Sequence, residues 1–182
     1  MNTVSGQDLV DRLNELSKKA KKRLWIASPY LGEFNAIQRI LGSETLCNFN
    51  LDFRLLVDYS EYGNCNYDSM KNLLKSMPDT IRSLPALHAK IYIVDDDCLL
   101  TSANLTRTAF ERRFEIGTFF KTSEMAHAVK IYESYWNKGN IIRIEDLKKS
   151  KKSAAEVQNG EAKKRYPKRF KLPQLVRTQN WL

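Results

Sequence analysis

Several things are scarce in this 182-residue chain, and each scarcity removes a class of protein. No run of apolar residues approaches the ~20 needed to cross a bilayer as a helix. The N-terminal stretch is polar and amphipathic and lacks the apolar h-region of a secretory leader. Cysteine is limited to Cys47, Cys65 and Cys98. That odd, scattered set points to reduced thiols and a cytoplasmic protein, not a disulfide scaffold. Two histidines, His88 and His127, and no paired cysteines leave little material for zinc, so no metal or other cofactor is expected.

What is present suits one domain with an appendage. About 42% of residues are apolar, enough for a core. The net charge of +9 is unevenly placed. Residues 1–147 hold 19 Lys and Arg against 19 Asp and Glu, while residues 148–182 hold 11 against 2. The tail therefore carries the whole excess. It is a solvated segment or a contact for a polyanion, either nucleic acid or an acidic membrane. Tyr166, Phe170 and Trp181 tilt this toward nucleic acid, because rings stack on bases. Residues 1–147 are read as the domain. Residues 148–182 are read as a basic linker or tail that docks on the body or leads to another domain.

Along the first part, helical and strand patterns alternate. Leu9, Leu13 and Leu16 predict a helix over 7–22. A buried strand follows over 23–28, a helix over 33–41, a strand near 50–59 and a helix over 68–77. Two strands then span "LHAKIYIVDDDCLLTSANLT", residues 87–106. "RFEIGTFFK" is a further strand, residues 123–137 a helix, and "NIIRIEDL" a last short strand or turn. The pattern predicts an α/β fold with a mixed sheet flanked by helices on both faces.

The 87–106 stretch carries the chemistry. If 87–94 and 98–104 pair around a three-residue loop, Asp95–Asp97, then Lys90 faces Ser102 and His88 faces Asn104. Residues two apart share a face, so the four polar groups converge. Ala89, Ile91, Ile93 and Leu99 fall on the other face. Such a patch suits a phosphate. Lysine supplies a point charge, Ser and Asn supply neutral donors, and histidine serves as nucleophile or acid–base near neutral pH. The competing reading is a buried polar cluster that holds a hairpin together. Cys98 reads as core, not as a nucleophile.

His88-x-Lys90-x4-Asp95 followed by Thr101-Ser102-Ala103-Asn104 resembles the HxKx4D…GSxN signature of the phospholipase D superfamily. Thr101 departs from the usual glycine. The "SANLTRTAF" continuation is similar to the single-motif, nuclease-like branch, and Glu115 matches a downstream glutamate. The likeness covers about residues 1–146. It implies a phospholipase D-like fold and a metal-independent phosphodiesterase with a phosphohistidine intermediate. His88, Lys90 and Glu115 would be catalytic, with Lys90, Ser102 and Asn104 on the phosphate. Glu115 would orient the imidazole; its alternative is an ion pair with Arg112 or Arg113. Asp95 would be structural and electrostatic.

That chemistry needs two histidines, and the second one here is a poor candidate. His127 has Val129 where a lysine belongs, and it points away from the apolar stripe of its helix, as an exposed histidine would. The resemblance therefore implies a homodimer with two His88 side chains in one site. The expected partner is nucleic acid, DNA before RNA, and no membrane. Arg107 either clamps a neighbouring phosphate or is a surface residue; the sequence weighs these equally. Lys163, Lys164, Arg165, Lys168 and Arg169 are the tail's candidate nucleic-acid contacts. Similar domains resemble catalytic parts of restriction endonucleases, which leaves room for a separate recognition domain or subunit. The alternatives are a lipid phosphodiesterase or phosphatidyl transferase, and a non-catalytic nucleic-acid-binding module of the same fold.

Overall fold

The computed structural model describes residues 2–60, 64–147 and 171–174. In chain order the elements are β1 (Asn2–Ser5), α1 (Gly6–Lys18), β2 (Arg23–Ala27), α2 (Phe34–Leu41), β3 (Asp52–Val57), α3 (Tyr67–Ser76) and β4 (Ile81–Ser83). They continue with β5 (Ile91–Val94), β6 (Asp97–Thr101), α4 (Arg107–Arg112), β7 (Ile116–Lys121), α5 (Thr122–Lys138) and β8 (Asn140–Ile141). The eight strands form one mixed sheet in the order β1-β7-β6-β5-β2-β3-β4-β8. Pairs β2–β3 and β3–β4 are parallel and the other pairs antiparallel. The expected α/β class, with helices on both faces, is the observed one.

The two faces are covered unequally. Leu9, Val10 and Leu13 of α1, Ile37 and Ile40 of α2, Met70 and Leu73 of α3, and Phe110 of α4 pack on one face with Leu24, Ile26, Leu55, Tyr92 and Leu99. On the other face, among the described residues, α5 is the covering helix, setting Met125, Tyr132 and Trp136 against Trp25, Leu56, Ile91, Ile93 and Cys98. Trp25 and Tyr132 stack with ring centres 5.4 Å apart, and Tyr132 and Trp136 at 6.3 Å. The Arg54 guanidinium lies 4.1 Å from the Trp25 ring centre, a cation–π contact. Burial pushes the Cys98 thiol up to about 12, so it is core rather than nucleophile.

Several boundaries differ from those the pattern predicts. Helix α1 stops at Lys18, four residues before the expected Lys22. The backbone N–H groups of Lys21, Lys22 and Arg23 donate to the Asp95 carboxylate at 2.9, 2.7 and 3.0 Å instead of continuing the helix. The polar β1 and the three-residue β4 exist through pairing with β7 and β3, and neither carries a hydrophobic run. Helix α4 is capped by Thr106, whose hydroxyl accepts the Ala109 N–H at 3.1 Å.

The central hairpin is one residue tighter than expected. Val94 opposes Asp97, not Cys98, so the loop is Asp95–Asp96. Asp95 takes φ 49°, a left-handed conformation that aspartate tolerates. The one-residue shift moves Leu99 opposite Tyr92, onto the four-helix face, and leaves Cys98 opposite Ile93. Gly117 lets that face close: a Cβ there would lie 2.6 Å from Leu99 Cδ1 and 2.9 Å from Leu9 Cδ1.

Part of the tail returns to the body. Gln7 brackets Lys171, accepting its N–H at 2.9 Å and donating to its carbonyl at 2.8 Å. Leu172 joins the four-helix core. Lys163, Lys164, Arg165, Lys168 and Arg169 lie outside the described residues.

Candidate active site

The chain order of the sheet creates the site. From β2 the chain steps to β3 and β4 on one side, whereas β5 returns antiparallel on the other side of β2. Open α/β sheets leave a crevice where strand order reverses, at the carboxyl ends of parallel strands. Ala27, the last residue of β2, pairs with Ile91, the first of β5. Residues 88–90, just before β5, therefore lie beside the carboxyl end of β2.

His88 is exposed and Lys90 half-buried. The Lys90 ammonium donates to the His88 carbonyl at 2.7 Å and sits 3.4 Å from Nε2 and 3.5 Å from Nδ1 of the same imidazole. Burial depresses the Lys90 pKa, and the charge of Glu115 opposes that shift.

Ser102 and Asn104 reach the crevice through a kink, not through the ladder. The Thr101 N–H still donates to the Lys90 carbonyl at 3.2 Å. The Thr101 hydroxyl then donates to the Ile116 carbonyl at 2.7 Å and accepts the Ala103 N–H at 3.1 Å. This bends the chain out of β6. The threonine that replaces the signature glycine is thus a turn-forming residue here. Two buried groups seat the turn: Tyr92 Oη donates to the Ala103 carbonyl at 3.1 Å, and Ser28 Oγ accepts the Leu105 N–H at 2.9 Å. Gly32 permits the close approach behind it, since a Cβ there would lie 2.8 Å from Thr106 Cα.

Glu115 precedes β7 and accepts a short hydrogen bond from Ser102 Oγ. Ser102 Oγ in turn accepts the Ile116 N–H at 3.1 Å. Among the described residues Glu115 and His88 make no hydrogen bond to each other. Asn104 Oδ1 is buried without a hydrogen-bond partner among the described residues. Contacts thus link four of these groups: the His88 imidazole to the Lys90 ammonium, the Lys90 ammonium to the charge of Glu115, and the Glu115 carboxylate to the Ser102 hydroxyl.

The other sequence candidates lie elsewhere. Asp95 sits in the hairpin loop at the opposite end of β5. Burial opposes its ionisation, but the backbone donors of Arg23, Lys22 and Lys21, with the Lys22 charge, outweigh it and hold the carboxyl below its ordinary value. Arg107 is committed within the chain, 3.1 Å from Glu33 and 3.1 Å from Asn35. His127 is exposed on α5. Sequence reasoning missed Ser28, Asp58 and Tyr92. Ser28 and Asp58 follow directly on the apolar runs of β2 and β3, a signal that marks the carboxyl ends of those strands.

A mixed sheet with a histidine–lysine pair at its switch point defines a phosphodiesterase fold of the phospholipase D-like class. The chain belongs to that family: the model described as "Cardiolipin synthase, PLD-like domain" matches residues 13–136. Comparison with curated proteins returned no match. Among solved structures, NucT from Helicobacter pylori is similar at TM-score 0.61 and 18% identity, over 78% of this chain and 100% of that one. The phospholipase D family member Nuc from Salmonella typhimurium gives TM-score 0.60 at 13% identity, over 78% and 98%. Phosphatidylserine synthase of Haemophilus influenzae gives 0.60 at 20% identity, over 96% of this chain and 47% of its own.

Proposed function

We propose that the protein is a metal-independent phosphodiesterase that cleaves nucleic acid, DNA before RNA, from a site completed by a second copy of the chain. The observation that carries this reading is the chain of contacts from His88 to Lys90, from Lys90 to the charge of Glu115 and from Glu115 to Ser102, with a single histidine among them. In the first step an imidazole nitrogen of His88 attacks phosphorus and the bond to the leaving oxygen breaks. The partner's His88 gives that oxygen its proton. In the second step the same partner imidazole takes a proton from water, the hydroxide attacks phosphorus, and His88 is released. Lys90 and Asn104 of each copy face the charge on the phosphoryl oxygens, the place where positioned donors act most strongly. Glu115, through Ser102, fixes the geometry around the imidazoles.

An apolar surface beside the crevice supports the dimer. Phe114 is 78% exposed, Ile116 57% and Leu100 37%. Leu100 and Ile116 lie on the face that α5 covers elsewhere. A second copy seated there brings two His88 side chains toward one axis.

The test is incubation with plasmid and single-stranded DNA in excess EDTA. Wild type cleaves and His88→Ala does not. Cleavage that needs Mg²⁺, or that survives His88→Ala, overturns the mechanism, and light scattering that finds an active monomer overturns the dimer. A second reading, phosphatidyl transfer, is favoured by the family description and by the phosphatidylserine synthase likeness. Phosphatidyl exchange on anionic vesicles without DNA cleavage would select it. Among the described residues no helix is long and apolar enough to cross a membrane.

A further inference from the structure

From the geometry we infer that Asp58 is a positioning residue for His88, acting through the turn that precedes it. This rests on the phosphodiesterase reading of the site. Asp58 follows directly on β3 and is buried, with 6% of its surface exposed. A buried carboxylate needs its lone pairs filled. Its Oδ1 accepts the Ser60 N–H at 3.0 Å and the Ser60 hydroxyl, and its Oδ2 accepts the Ala86 N–H at 3.0 Å. Its own N–H donates to the Pro29 carbonyl at 3.3 Å. One side chain thus ties the carboxyl end of β3 to the segment entering the site, and its backbone ties it to the loop after β2.

Ala86 is the informative partner. Its φ is 60°, in the left-handed region that is strained for a residue with a Cβ. Such strain persists only where the surroundings enforce it. The Leu84 N–H donates to the Val57 carbonyl at 2.9 Å and the Leu87 N–H to the Leu84 carbonyl at 3.2 Å, while the Leu87 side chain is buried. Between those two fixed points, the Asp58 carboxylate holds Ala86 in its strained conformation. His88 comes two residues later, with its imidazole exposed and held by no buried packing. Its direction is set by the turn, and the turn by Asp58.

The experiment uses the full chain and two substitutions. Asp58→Ala removes the acceptor. Ala86→Val disfavours positive φ at an exposed position and leaves the buried carboxylate alone. Each variant lowers kcat on bis(p-nitrophenyl) phosphate roughly tenfold to a hundredfold, because small misplacements of a reacting group have effects of that size. KM stays within about twofold, since the phosphate donors are untouched. Ala86→Gly, which removes the Cβ strain, leaves wild-type kcat nearly unchanged and restores at least about threefold to Asp58→Ala. The imidazole NMR signals supply a readout that needs no turnover. His88 and His127 give two sets, assigned with His88→Ala. In Asp58→Ala and Ala86→Val the His88 signals move while the His127 signals superimpose on wild type. Unmoved His88 signals in both variants overturn the inference, as does failure of Ala86→Gly to restore them. A wild type inactive on the diester refutes the phosphodiesterase reading instead, and the NMR result still decides the role of Asp58.

Discussion

The two ends of the β5–β6 hairpin carry residues of the same signature and treat them in opposite ways. At the closed end, Asp95 receives three backbone N–H groups, from Lys21 and Lys22 in the connection after α1 and from Arg23 of β2. At the open end, His88 is exposed, Lys90 is partly desolvated and Asn104 Oδ1 has no hydrogen-bond partner among the described residues. The Asp95 carboxylate is filled by backbone donors, whereas the exposed imidazole and the amide oxygen at the open end keep capacity to spare. A signature read as one unit is therefore two devices joined by a pair of strands.

Substitutions at each end test the division. Lys90→Ala has the largest expected effect: DNA cleavage falls roughly 10²–10³-fold, as for loss of one transition-state donor, while thermal stability stays near wild type. A large drop in the melting temperature would show that the open end also serves folding. Gly117→Ala comes next and strikes the sheet beneath both ends. Its Cβ meets Leu99 and Leu9, so unfolding free energy falls by about 1–3 kcal/mol in urea titration.

Asp95→Asn reverses the Lys90 result. It costs about 1–2 kcal/mol at pH 7, toward the lower figure because the carboxylate is partly exposed, and it spares activity. Because the folded protein holds Asp95 below the ordinary value of 3.8, its stabilisation is present above that pH and is lost as the pH falls below it. The wild-type and Asp95→Asn stability curves converge in acid; parallel curves would remove the carboxylate from the account. Smallest is His127→Ala, expected to change stability by less than about 0.5 kcal/mol and activity not at all.

The fold class was legible because helix and strand periods alternate over most of the chain. Two short strands were not. Strands β1 and β4 carry no hydrophobic run and exist through their neighbours. The hairpin register failed for a particular reason. Three consecutive aspartates fit a loop of two residues or three, and Cys98, Leu99 and Leu100 are all apolar, so no alternation marks the inner face. Residue types and spacing singled out His88, Lys90, Ser102 and Asn104, and the resemblance to the phospholipase D superfamily added Glu115. The way Ser102 arrives was not legible, because it depends on what the Thr101 hydroxyl bonds. Asp58 was hidden for a similar reason: a carboxylate after a strand looks ordinary until Ala86 is seen in its left-handed turn.

The aromatic stack under α5 also determines what light can report about this molecule. Trp25 and Trp136 are both buried there, in van der Waals company with Tyr132 and under the guanidinium groups of Arg54 and Arg82. None of those neighbours belongs to the His88–Glu115 group. Their ultraviolet emission follows the integrity of that face of the sheet and shifts to longer wavelength when water reaches it. An emission change on adding DNA to the folded protein would come from the remaining indole, Trp181, so one fluorometer separates melting from binding.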